Sequence, residues 1–189
     1  MPSYPEIVRS VQAALLLARG ETRGMALLDL SVDGFWRSFA AAVIVAPAYL
    51  LVLLDQYRLL GWPEHLWGTI TAETASYLLG WVAFPLAAIP LTRLLGLSGR
   101  YVPLVIANNW STVVQVALYT TVVLVGMILP AELRTTALFG ATIAVLAYQW
   151  FVIRTALATT GATALGLVVI DVLLSITTSR ILDGMLQPG

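Results

Sequence analysis

A carboxylate in the middle of an apolar run is the most demanding feature of this sequence. Asp171 follows the uncharged stretch 155–170 and precedes Ser175, Thr177 and Thr178. A charged group far from water is costly unless it is paired, protonated or set against a water-filled space. Its chemistry is therefore that of a proton or cation site, a substrate contact, or a buried helix-to-helix hydrogen bond. Other polar residues stand at comparable depths: Asn108, Asn109 and Gln115 in one apolar stretch, Gln149 and Arg154 in the next. With about 1.5 Å of rise per residue, Gln115 and Asp171 fall near the middle of their stretches, and Asn108, Asn109, Gln149 and Arg154 fall in the half facing the N-terminal side. The candidate intramembrane polar site is therefore Asp171, Gln115, Asn108, Asn109, Gln149 and Arg154. Amides also satisfy one another between helices where lipid offers no partner, so a structural role for the Asn and Gln residues stays open beside the functional one. Arg154 also has the option of reaching to headgroups. Glu73, with Thr69, Thr71, Thr74 and Ser76 around it, lies close enough to its stretch's end to face the outer headgroup zone.

Other chemistry is missing from the residue types. One histidine, His65, and no cysteine exclude ordinary zinc, bis-histidine haem and iron–sulfur sites. Neither a P-loop nor a G-x-G-x-x-G pattern occurs, so no nucleotide cradle is visible. No cofactor and no metal site is expected, and the chain does not read as an enzyme. The formal net charge is zero, so no basic face for nucleic acid is expected either.

The elements that must position these residues follow from composition. The chain is 59% apolar and 11% charged over 189 residues, against roughly 45–50% and about 25% for a soluble domain. Uncharged stretches run over 38–54, 74–92, 101–131, 135–153 and 155–170, and a spanning helix needs about 20 apolar residues. The sequence predicts an all-α polytopic membrane bundle with five spans at about 35–56, 68–90, 103–129, 133–156 and 162–182. All ten basic residues are arginine. With the N-terminus inside, seven (Arg9, Arg19, Arg23, Arg37, Arg93, Arg100, Arg154) fall on the inner side and three (Arg58, Arg134, Arg180) on the outer. That bias predicts an N-in, C-out arrangement, in a bacterial inner (cytoplasmic) membrane.

Residues 1–33 form a separate N-terminal segment ahead of a transmembrane domain at 34–189. Residues 4–19 set Ile7, Val11, Ala14, Leu15 and Ala18 on one stripe, and Gly20 stands where a helix would stop. This predicts an interfacial amphipathic helix on the inner leaflet or against a partner, with Ile7, Val11 and Leu15 as the candidate docking residues. Asp33 is the expected N-cap of span 1 and Pro90 the expected end of span 2, while Pro47 and Pro85 lie within their spans. Gly140-x-x-x-Ala144, with Ala137 and Ala147, gives span 4 a small-residue face for close helix packing or oligomerisation.

The stretch Asp29-Leu30-Ser31-Val32-Asp33-Gly34-Phe35-Trp36 stands just before span 1. Together with a cytoplasmic N-terminus, five closely spaced spans and a short C-terminus outside, it resembles the Yip1-domain membrane proteins. Those commonly carry an Asp-Leu-x-Gly-Pro-Phe-Trp-like motif at this place. Here the Asp-Leu and Phe-Trp ends match, the Gly-Pro is missing and one residue is inserted. The resemblance implies a non-enzymatic integral membrane protein that works through other membrane proteins. Two functions are therefore expected. The first is a scaffold or accessory subunit of a membrane assembly, with other integral membrane proteins and lipids as partners. The second is a small oligomeric transporter or channel using Asp171 with Gln115 and Asn109. The direction in which Asp171 points, into a cavity or into a packed interface, separates them.

Overall fold

A computed structural model describes residues 1–186, with side chains for 1–181; the predicted outward C-terminus at Gly189 lies outside the described residues. The order is α1 (Tyr4–Ala18), a 3₁₀ helix (Thr22–Leu27), α2 (Val32–Ser38), α3 (Ala40–Leu60), α4 (Leu66–Leu94), a 3₁₀ turn (Ser98–Arg100), α5 (Tyr101–Gly126), α6 (Ala131–Leu157) and α7 (Gly161–Leu186). No strand occurs among the described residues. Five segments are long and apolar enough to cross a membrane: Val32–Leu60, Leu66–Leu94, Ser98–Gly126, Ala131–Leu157 and Gly161–Ile181. Their outward faces carry leucine, isoleucine and valine, a surface that suits hydrocarbon and not water. The chain is a multi-pass membrane protein.

The helix ends follow local chemistry. Ser3 caps α1 by accepting from the Glu6 N–H. Past its end, Gly20 takes a φ of +78°, and the N–H groups of Gly20 and Glu21 bond back to Leu17 and Leu16. The same closure ends α6, but there the left-handed residue is Ala158, at φ +50°. Two expectations change at the first two spans. Ser31, not Asp33, caps α2, because its hydroxyl stands three residues before the Gly34 N–H that it accepts at 3.0 Å. Span 2 does not stop at Pro90, since α4 continues to Leu94 with Pro85 and Pro90 inside it; a proline lacks only its own N–H, and the rest of a long apolar helix carries on past it.

The short loops make successive spans antiparallel. One end of the bundle therefore gathers α1, α2 and the α4–α5 and α6–α7 turns, and the far end carries the α3–α4 and α5–α6 loops. The hydrophobic core lies at the N-terminal end, around Leu104, Ile106, Trp110, Ile153 and Leu157. α1 is part of it: Ala13, Ala14 and Leu17 are fully buried, and the Tyr148 hydroxyl donates to the Ala14 carbonyl at 2.7 Å. The 3₁₀ helix lies so close to α1 that a Cβ on Gly24 would stand 2.5 Å from the Ala13 oxygen. A Cβ on Gly34 would stand 2.0 Å from the Asp29 oxygen. Arg37 of α2 then binds both Glu6 of α1, at 2.7 Å, and Asp29. Hydrogen bonds from Ser31 hold the Asp29 carboxyl below the ordinary carboxylate range.

Candidate functional site

Helix pairing leaves a space in the middle. α5 packs on α3 and α6, and α7 packs on α6 and α4, whereas α4 reaches α3 mainly through tyrosine side chains. The Tyr77 hydroxyl donates to the Ala42 carbonyl, and the Tyr49 and Tyr57 hydroxyls donate to Glu73 at 3.0 and 2.7 Å. The five spanning helices thus form a ring closed on one side by hydroxyl bonds. Inside it lies a cavity of about 390 Å³ to which every spanning segment contributes a wall. Its polar lining is Ser76 from α4, Asn108, Asn109, Thr112 and Gln115 from α5, Gln149 from α6, and Asp171, Ser175 and Ser179 from α7. α3 and α4 supply the aromatic wall, with Tyr49, Tyr77, Trp81 and Phe84.

Five of the six polar residues singled out in the sequence meet here. Gln149 is 7% exposed, and its Nε2 donates to Asp171 Oδ2 across the α6–α7 interface. The Gln115 Nε2 is buried with no hydrogen-bond partner. Asn109, 2% exposed, lines the cavity but also donates to Ser38 Oγ at 2.9 Å, tying α5 to α2. Asn108 lines the same wall. Arg154 does not join them: it is exposed and its guanidinium lies 5.5 Å from the centre of the Trp150 ring. Five residues beyond Gln149 is a turn of about 140° around the helix, so the two cannot share a face. Among the described residues lining this cavity, Asp171 is the one with a carboxyl group, and none is an arginine or a histidine.

A second cavity of about 690 Å³ continues toward the far end. It shares Tyr49, Ser76 and Ser179 with the first and reaches Pro63, Glu64 and His65 in the α3–α4 loop. Glu73 lies half-buried on its wall, held by the two tyrosines of α3. Its partner Tyr49 stands within the apolar run 38–54, where a tyrosine hydroxyl needs an acceptor from another helix, whereas Tyr57 stands between Asp55 and Arg58 beside the α3–α4 loop. Asp55 is a further carboxylate with fixed partners. It is 4% exposed and is gripped by Arg58 at 3.0 Å and by Arg134 of α6, which ties α3 to α6 at the far end. The i, i+3 spacing of Asp55 and Arg58 was the visible sign.

The N-terminal docking stripe divides. Ile7 and Val11 are half-buried against the chain's own core, while Leu15 is 44% exposed. The small-residue face of α6 is likewise unused within the chain, since Gly140, Ala144 and Ala147 are exposed and a Cβ on Gly140 would meet nothing. No group of three or more metal-binding side chains occurs among the described residues.

In comparison with known proteins, no family model, no curated protein and no solved structure matches this chain. The likeness to Yip1-domain proteins therefore stands on the stretch 29–36 and on the five-span layout alone. Within that stretch the matching Asp29 and the Gly34 backbone have a physical role here, for they build the turn that leads into α2.

Proposed function

We propose that this chain is a non-enzymatic transport protein that takes a small cationic solute into the cavity between its five spans, with Asp171 as the group that meets the charge. One observation carries the reading: the cavity wall holds one carboxyl group, that of Asp171, backed by amides and hydroxyls and faced by aromatic rings. A cation gains from each of these, from the carboxylate by charge, from amide and hydroxyl oxygens by coordination, and from ring faces by the quadrupole. A cavity of this size suits a small organic ion better than a bare metal ion, which would leave most of the walls unused. The scaffold reading draws on an N-terminal helix suited to docking; that Asp171 lines a cavity, and that Ile7 and Val11 pack partly against the chain's own core, supports transport instead.

The arginine bias places the N-terminus in the cytoplasm, which sets the Glu64–His65 mouth on the outer side of a bacterial inner membrane. Access to the cavity is then from outside, and the packed N-terminal end forms the closed side. The test is uptake of tetramethylammonium into proteoliposomes. Asp171→Asn keeps the shape and the hydrogen-bonding reach of the side chain and removes its charge, so uptake should fall at least about tenfold. Unchanged uptake would overturn the reading and return the chain to the scaffold class.

A further inference from the structure

Glu73 occupies a position that the central cavity does not explain. It lies where the second cavity meets an apolar groove of about 250 Å³ on the outer face of the α3–α4 seam. The groove is walled by Leu50, Leu54, Leu66 and Ile70, which are 55%, 49%, 52% and 46% exposed and so face lipid. Glu73 and Tyr57 line both spaces. The seam between them is held by side chains and not by close helix packing, the Tyr49 and Tyr57 hydroxyls crossing from α3 to the carboxylate on α4. A carboxylate has about four acceptor positions, and these two hydroxyls leave the others for a further partner.

An apolar groove on the lipid side, a polar chamber on the inner side and a carboxylate between them together describe the shape of one kind of molecule. We infer that the α3–α4 seam is a lateral portal for amphipathic organic ammonium ions, whose charged head meets Glu73 and whose hydrocarbon chain lies in the groove. The inference rests on the proposal that the central cavity takes a cation, and it adds a second acceptor on the way in. Tyr57, whose hydroxyl is bound to Glu73, stacks on Trp62 at 6.1 Å, so an ammonium head at the carboxylate also lies beside aromatic rings. From Glu73, the shared residues Tyr49, Ser76 and Ser179 lead on to the chamber of Asp171.

The test compares two probes, tetramethylammonium and octyltrimethylammonium, bound to the full chain in phosphatidylcholine nanodiscs. The wild type should hold the octyl probe more tightly. Glu73→Gln should weaken octyl binding about tenfold, and Glu73→Asp should restore most of it, which separates loss of charge from loss of fold. Leu54→Trp, filling the groove, should weaken the octyl probe and leave tetramethylammonium unchanged. Equal affinity of the wild type for both probes, or octyl binding that ignores both Glu73→Gln and Leu54→Trp, would overturn the portal. If Asp171→Asn abolishes tetramethylammonium binding in that case, the central reading survives alone. If tetramethylammonium binding persists in Asp171→Asn, it is the central reading that falls, and a wild type that binds neither probe removes both.

Discussion

The two ends of this bundle are built by different rules. At the N-terminal end the helices pack to a dry cluster, with Leu104, Val105, Val152, Ile153 and Leu157 fully buried. Several polar groups there are matched, Asn109 to Ser38, Thr92 to the Ala88 carbonyl and the Trp150 indole to the Gly161 carbonyl, while the buried Ser111 hydroxyl has no partner. From the middle to the far end the same helices diverge around two adjoining cavities. They are held there by long side chains, Asp55 to Arg134 and the tyrosines to Glu73, and the Gln115 amide nitrogen and the Thr120 hydroxyl are buried without partners. Dense packing fixes a single arrangement, whereas side-chain ties across a gap can exchange for a ligand's contacts. The difference teaches that stability and room for a solute are separated along the helices, not between domains.

Four substitutions probe that division, beginning with the most damaging. Gly34→Ala drives a Cβ into the Asp29 carbonyl at the point where the N-terminal cap turns into α2. It should cost about 4 kcal/mol or more, visible as failure to purify a folded protein; a normal thermal midpoint would show that the packed end yields. Asp55→Asn tests the far end's ionic tie. Arg134, at 13% side-chain exposure, would lose its counter-charge, so a loss of about 3 kcal/mol in the unfolding free energy is expected, and a change below about 1 kcal/mol would make the tie incidental.

Gln115→Leu removes an amide that nothing in the protein satisfies. The unfolding free energy should stay within about 1 kcal/mol of the wild type or rise, while tetramethylammonium binding weakens. A large destabilisation would mean that the cavity wall is as tightly built as the opposite end. Smallest is Ala158→Gly at the α6–α7 turn. A left-handed alanine is strained by about 1–2 kcal/mol, partly offset by the greater freedom of glycine in the unfolded chain. A net gain of up to about 1 kcal/mol should appear as a slightly higher midpoint, and a fall would show that the Ala158 methyl is needed where it stands.

Five spans were legible because each requires only a long run of apolar residues, and that is a property of the chain read in order. The observed helices extend the predicted spans by a few residues at most ends, since polar residues such as Arg93 and Glu132 continue a helix once they reach the bundle's ends. Depth was also legible, since rise per residue places Asn108, Gln149 and Asp171 at related levels before any fold is known. The side toward which a residue turns was not. Arg154 and Gln149 lie at similar depths, yet only the tertiary arrangement shows that one faces outward and the other lines the cavity. Ile7 and Val11 make the same point: an apolar stripe declares that a helix buries a face, but not against which surface.

The sequence by itself determined that this is an all-helical membrane chain with few charges to spend inside the bilayer, because transfer of charge into hydrocarbon is costly wherever it happens. Tertiary structure decided what those charges meet. It paired Asp171 with Gln149, set Glu73 under two tyrosines from another helix, and locked Asp55 to an arginine 79 positions away. Apolar surface is recognised by lipid one residue at a time, but a hydrogen bond needs a partner at one distance and one angle. Partners far apart in the chain are brought to that geometry only by the packing of whole helices.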